Sequence, residues 1–156
     1  MKNVSHSEID EVDRTLIALL TENARATNAE LAQKAQIAPS TCLARVRNLV
    51  QRGVIRGFTV DLDPAALGLG LEVLISVTLR AGARQQLAQF MAEMRALPEV
   101  VQVFFLGGAE DFIVHLAVTD SDHVQRFVLE NLSGNPAVAN TRTNLVFEHF
   151  HKGLIA

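Results

Sequence analysis

Thr27-Asn28-Ala29-Glu30-Leu31-Ala32-Gln33-Lys34-Ala35-Gln36-Ile37-Ala38-Pro39-Ser40-Thr41-Cys42-Leu43-Ala44-Arg45-Val46-Arg47-Asn48-Leu49 decides the fold of the N-terminal half. Thr27 followed by Glu30 is a capping box: the hydroxyl accepts a backbone N–H and the carboxylate reaches back to the cap. A helix from there to about Ala35 buries Leu31, Ala32 and Ala35. Pro39 suits the first position of a second helix. On that helix Cys42, Val46 and Leu49 share one face and turn inward. Ser40, Thr41, Ala44, Arg45, Arg47, Asn48 and Gln51 are left outside, and Gly53 ends the helix.

Upstream, Ile9, Val12, Leu16, Leu19 and Leu20 form the stripe of another helix over Asp10 to Glu22. Downstream, Val54-Ile55-Arg56-Gly57-Phe58-Thr59-Val60 is rich in β-branched residues and predicts a strand pair, the wing of a winged helix-turn-helix.

Charge points to a partner. From Leu31 to Val60 the chain carries Lys34, Arg45, Arg47, Arg52 and Arg56 with no Asp or Glu, although the whole chain has a net charge of −3. A surface helix ordinarily mixes signs, so a basic island in an acidic protein predicts a face for double-stranded DNA. Ser40, Thr41, Ala44, Arg45, Arg47, Asn48, Arg52 and Arg56 are the candidate DNA contacts. Short hydroxyl and amide groups reach base edges or phosphates, and arginines fork onto guanine or phosphate.

The chain has 156 residues, no Trp or Tyr, and the single Cys42. One cysteine excludes an internal disulfide and any cysteine-rich metal site, and its inward phase reads as a small hydrophobe. No apolar run reaches about 18 residues, and Met1 to Asp10 is polar, so no membrane partner and a cytoplasmic location are expected.

Pro64-Ala65-Ala66-Leu67-Gly68-Leu69-Gly70 marks a boundary. The division expected is a DNA-binding domain over 1–60, a linker over 61–70 and a second domain over 71–156. In that domain Leu71, Val73, Ile75, Val77 and Leu79 alternate along a strand. Leu87, Phe90, Met91 and Met94 mark a helix, closed by Pro98. Val100 to Leu106 and Asp111 to Val118 are strands around a glycine turn. Val124, Phe127, Val128 and Leu132 mark a second helix capped at Asp120 or Ser121, and Asn140 to Phe150 is a last strand. The order βαββαβ is the ferredoxin-like plan, and the fold class is α+β. Val, Phe and Leu occupy both phases of the central strands, while two helices cover one face only. A second copy, sheet against sheet, is the expected cover.

Taken together, Asp13-Arg14, Leu16-Ile17, Leu19-Leu20, Asn23-Ala24-Arg25, Glu30-Leu31-Ala32, Arg45-Val46, Leu49, Gly53-Val54-Ile55, Gly57, Leu62-Asp63-Pro64, Leu67-Gly68, Gly107, Asp111-Phe112, Thr141 and Thr143 resemble the Lrp/AsnC (feast/famine) family of transcriptional regulators over nearly the whole chain. The resemblance implies a RAM-type C-terminal domain that senses an amino acid or related metabolite between subunits, and dimers that assemble into octamers. By motif position it places Gly107, Asp111, Thr141 and Thr143 at the effector. Physically, glycines admit a ligand to backbone N–H groups, Asp111 suits an α-ammonium, and the threonines add hydroxyls. An ordinary hairpin turn with a local Asp cap explains the same residues.

Two departures stand out. The family has Gly-Leu-Ser where this chain has Gln36-Ile37-Ala38. Gln36 then takes a left-handed position at a cost of about 1 kcal/mol, and Ala38 supplies no capping oxygen, a loss of roughly 0.5–2 kcal/mol.

His115, His123, His149 and His151 suggest a metal, but nothing completes a ligand set, so neither metal nor cofactor is expected. Some tetrapyrrole decarboxylases resemble this family, yet no catalytic set, phosphate loop or dinucleotide fingerprint is present, and no catalytic residue is assigned. An architectural DNA binder with phosphate contacts alone is the other alternative.

Overall fold

The computed structural model describes residues 9–150. They divide into two compact units, the first closing at Asp61 and the second spanning Leu62–Phe150.

The first unit has three helices: α1 (Glu11–Glu22), α2 (Asn28–Lys34) and α3 (Pro39–Gln51). Asp10 caps α1 by accepting the Asp13 N–H at 2.8 Å. At α2 both halves of the capping box form: Thr27 accepts the Glu30 N–H, and Glu30 accepts the Thr27 N–H at 2.7 Å. These bonds hold the Glu30 carboxyl below the usual range, the Thr27 backbone N–H contributing most and its hydroxyl next. Leu16, Leu20, Leu31, Ala32 and Cys42 make the core. Burial pushes the Cys42 thiol up, so it stays a protonated apolar filler.

The tight connection between α2 and α3 shows both predicted irregularities. Gln36 lies at φ 54°, and Ala38 caps α3 with no side-chain hydrogen bond. Asn28 at the start of α2 reaches across instead, its Nδ2 donating to the Pro39 carbonyl at 2.9 Å. Gly53, at φ 73°, ends α3 in a left-handed turn, and the Val54 and Ile55 N–H groups return to the Leu49 carbonyl.

The predicted wing is corrected: 54–60 forms no strand. Gly57 leaves only three residues on either side of it, and an isolated two-stranded ribbon is marginal even when longer. Ile55 packs on the helical core, while Phe58 and Val60 stay exposed.

The second unit opens with a 3-10 turn at Ala65–Leu67. It continues as β1 (Leu71–Leu79), α4 (Leu87–Ala96), β2 (Val100–Phe105), β3 (Phe112–Val118), α5 (Ser121–Phe127) and β4 (Val138–Val146), α5 running on as a π-helical segment, Val128–Ser133. The sheet is antiparallel with order β2-β3-β1-β4, the ferredoxin-like arrangement. The last strand stops at Val146, four residues before the predicted end, so His149 is not on a strand.

Register sorts the two faces. Val73, Ile75 and Val77 stand opposite Leu116, Val114 and Phe112. All six are fully buried, against Phe90 and Met94 of α4 and Val124 and Phe127 of α5. The Phe90 and Phe112 ring centroids are 4.9 Å apart. The opposite face carries Glu72, Leu74 and Ser76 beside Ala117, His115 and Ile113, with Phe104 of β2 next to Ile113.

Candidate nucleic-acid interface and effector site

On α3 the inward residues are Cys42 and Leu49, with Val46 half-buried. Ser40, Thr41, Ala44, Arg47 and Asn48 are exposed on the other side. Arg52, at the C-cap, bonds the Asn48 Oδ1 at 3.3 Å. Arg56 is exposed in the non-strand segment beyond the helix.

Arg45 is where the structure corrects the sequence reading. Its Nη1 donates to Asp10 at 2.7 Å and to Asp13 at 2.9 Å, both carboxylates at the start of α1. The Asp10 and Asp13 bonds hold the guanidinium charged. The 31–60 window contains no acid, but the fold brings two to Arg45 from outside it. Arg45 therefore clamps α3 to α1, and Arg47 is the arginine left on the exposed middle of α3. Asn28 and Asp13, both structural partners of α3, escaped the sequence reading because they lie on other helices.

The residues predicted at an effector are held in equally specific ways. The β2–β3 hairpin closes through the Leu106 N–H to the Asp111 carbonyl at 2.8 Å. The Asp111 carboxylate accepts the Leu79 N–H at 2.7 Å, where the β1–β4 register shifts between Thr78 and Leu79. Asp111 thus supplies the acceptor that the irregular end of β1 needs, closer to the local-cap reading than to a free ammonium partner. Thr141 and Thr143 stand opposite Val77 and Ile75, on the helix-covered side of the sheet. Arg142 stands opposite Ser76, on the other side.

Two residues that the sequence reading missed meet there instead. Arg142 Nη2 contacts Glu110 Oε1 of the hairpin at 2.5 Å. Gly107 and Gly108, in the same hairpin, leave open space where a side chain would stand. The signal was a charged residue in the turn and another between the two threonines, and only the register shows that they meet.

On the same face as Arg142, the His115 Nε2 lies 2.7 Å from Glu72 and the His149 Nδ1 3.6 Å from it. His123 pairs with Glu99 at 3.3 Å, and His151 lies outside the described residues. Among the described residues no group of three or more His, Cys, Asp or Glu is arranged to hold a metal ion, and no helix is long and apolar enough to cross a membrane.

Against known proteins, residues 9–56 match the profile of a winged helix-turn-helix DNA-binding domain, and residues 72–153 that of the Lrp/AsnC ligand binding domain. The chain is 47% identical over 148 residues to the HTH-type transcriptional regulator AldR of Mycolicibacterium smegmatis, covering 95% of this chain and 86% of that one. The crystal structure of MtbAldR superposes with a TM-score of 0.83 at 41% identity, over 96% of this chain and 99% of that one. The L-Met complex of the transcriptional regulator NMB0573 from Neisseria meningitidis superposes with a TM-score of 0.85 at 31% identity, over 93% and 94%.

Proposed function

The chain belongs to the Lrp/AsnC family of transcriptional regulators, and from that premise we propose that an amino acid or related small metabolite, bound at the Leu106–Asp111 hairpin between copies, sets its activity. It is a DNA-binding regulator, as its relatives are, and not an enzyme. The α3 surface of Ser40, Thr41, Ala44, Arg47 and Asn48, with Arg52 and Arg56 beyond it, is the DNA-contacting set in this reading. Arg45 serves it as the clamp behind the helix.

The observation that carries the effector reading is the Glu110–Arg142 pair beside Gly107 and Gly108. A zwitterion carries one carboxylate and one ammonium a few ångströms apart. Arg142 offers a guanidinium to the first and Glu110 a carboxylate to the second, and a bound amino acid would exchange their mutual contact for two of its own. The L-Met complex of the Neisseria relative is consistent with that class of ligand. Thr141 and Thr143 keep a role only if the ligand reaches round the β4 edge.

Assembly completes the site. Leu74, Ile113 and Phe104 lie on the face opposite α4 and α5, and Phe104 is 46% exposed. We assign that face to a second copy, giving a homodimer with two DNA heads that read two half-sites. In this reading the dimers assemble further into octamers.

A thermal-shift screen against the twenty amino acids tests the effector, since a ligand bound to the folded state raises its apparent stability. One or a few amino acids should shift the native protein, and Glu110→Gln should abolish the shift. No shift with any of the twenty would overturn the amino-acid reading.

A further inference from the structure

Ser40, Leu43, Ala44 and Arg47 stand at i, i+3, i+4 and i+7, so they form one stripe over the first two turns of α3. Three of the four are expected of a DNA-reading surface. Leu43 is not: it is a large apolar side chain with 41% of its surface exposed. The helix has already met its core requirement with Cys42 and Leu49, both fully buried.

A lone exposed leucine is ordinary, but Leu43 stands in the middle of the exposed stripe. On one side of it lies a hydroxyl, on the other a guanidinium, with the Ala44 methyl beside it. The N-terminal residues of a recognition helix are the ones that meet base edges. In the major groove those edges are mostly hydrogen-bonding groups, and the one methyl among them is the C5-methyl of thymine. An isobutyl group set against a hydrogen-bonding edge would desolvate a donor or acceptor without replacing its hydrogen bond. Set against a thymine methyl it buries apolar surface on both partners.

We propose that Leu43 is a specificity-determining residue that reads a thymine C5-methyl in each half-site. The proposal rests on α3 being the helix that enters the groove.

The test removes the methyl and nothing else. A preferred operator is selected from random duplexes with the full-length protein, and each thymine in turn is replaced by deoxyuridine. At one thymine per half-site the native protein should lose roughly fourfold in affinity, the value of one buried methyl. Leu43→Ala should bind the thymine and uridine duplexes equally, and Leu43→Met should keep most of the difference. Because Leu43 is exposed, neither change threatens the fold, and far-UV circular dichroism checks that it persists.

If no uridine substitution weakens the native protein, or if Leu43→Ala retains the same uridine penalty, the proposal is overturned. Arg47→Ala in the same assay separates the two levels. If it leaves affinity unchanged, α3 is not the reading helix. If it weakens binding while uridine is silent, only the role of Leu43 fails.

Discussion

Arg45 on α3 and Asp13 on α1 share a 2.9 Å guanidinium–carboxylate bond, and the Asp13 side chain is only 9% exposed there. A carboxylate so placed needs its cation, because an unpartnered buried charge costs more than the pair contributes. The bond fixes the helix that carries the exposed stripe to the one that forms the back of the domain.

Arg45→Ala should therefore act through folding. We expect a loss of about 1–2 kcal/mol from the first unit, read by urea denaturation. A double-mutant cycle with Asp13→Ala should return most of it as coupling. Arg45→Lys should recover part of it, since both bonds leave the one Nη1 and an ammonium nitrogen has donors enough for two carboxylates.

Arg47→Ala should do the opposite. Its side chain is exposed on α3, so the urea midpoint should hold while operator affinity falls about tenfold and the salt slope drops by about one. Titration of labelled duplex at several salt concentrations reads both.

The turn before α3 is improvable. Gln36 sits at φ 54° and Ala38 offers no capping oxygen, so Gln36→Gly and Ala38→Ser should each stabilise the first unit by about 0.5–1 kcal/mol. Their effects should add to within a few tenths unless the two sites share a partner. Thermal melts of the single and double variants check it.

Acid should loosen the same unit. The Asp10 carboxyl is held below its usual range, first by the Asp13 backbone N–H and next by Arg45, and Glu30 is held down by Thr27. A lowered folded-state value means that the stabilisation is complete above the unfolded value, about 4, and disappears as pH falls through the folded one. Stability should be level from neutrality to about pH 5 and fall below about pH 4. Asp10→Asn should flatten part of that fall in acid-titration melts.

Asp111→Ala should destabilise the second unit by about 1–3 kcal/mol, because the Leu79 N–H loses its acceptor. Asp111→Asn, which keeps an oxygen, should lose less. Glu110→Gln should leave the melt unchanged in the absence of effector. Calorimetry on the three variants separates the strut from the ligand contact.

Local signals were legible in the sequence. The capping box at Thr27 and Glu30, the inward phase of Cys42 and Leu49, the strain at Gln36 and the alternation of Val73, Ile75 and Val77 each depend on neighbours a few residues away, and each stands as read. Arg45, Asp111 and Arg142 could not be read that way. Their partners lie at Asp10 and Asp13, at Leu79 and at Glu110, and only packing and strand register bring those atoms together. The strand pair at 54–60 failed for a related reason: β-branched residues favour extended backbone, but a ribbon also needs length on both sides of its turn.

The strand order has a consequence in time. Glu72 at the start of β1 pairs with Val146 at the end of β4, so the sheet cannot be finished until residue 146 has left the ribosome. The core of the three helices at the front is made by residues no later than Ile55. Such short-range contacts form early in synthesis. A nascent chain can therefore complete its helical head before the sheet has taken shape.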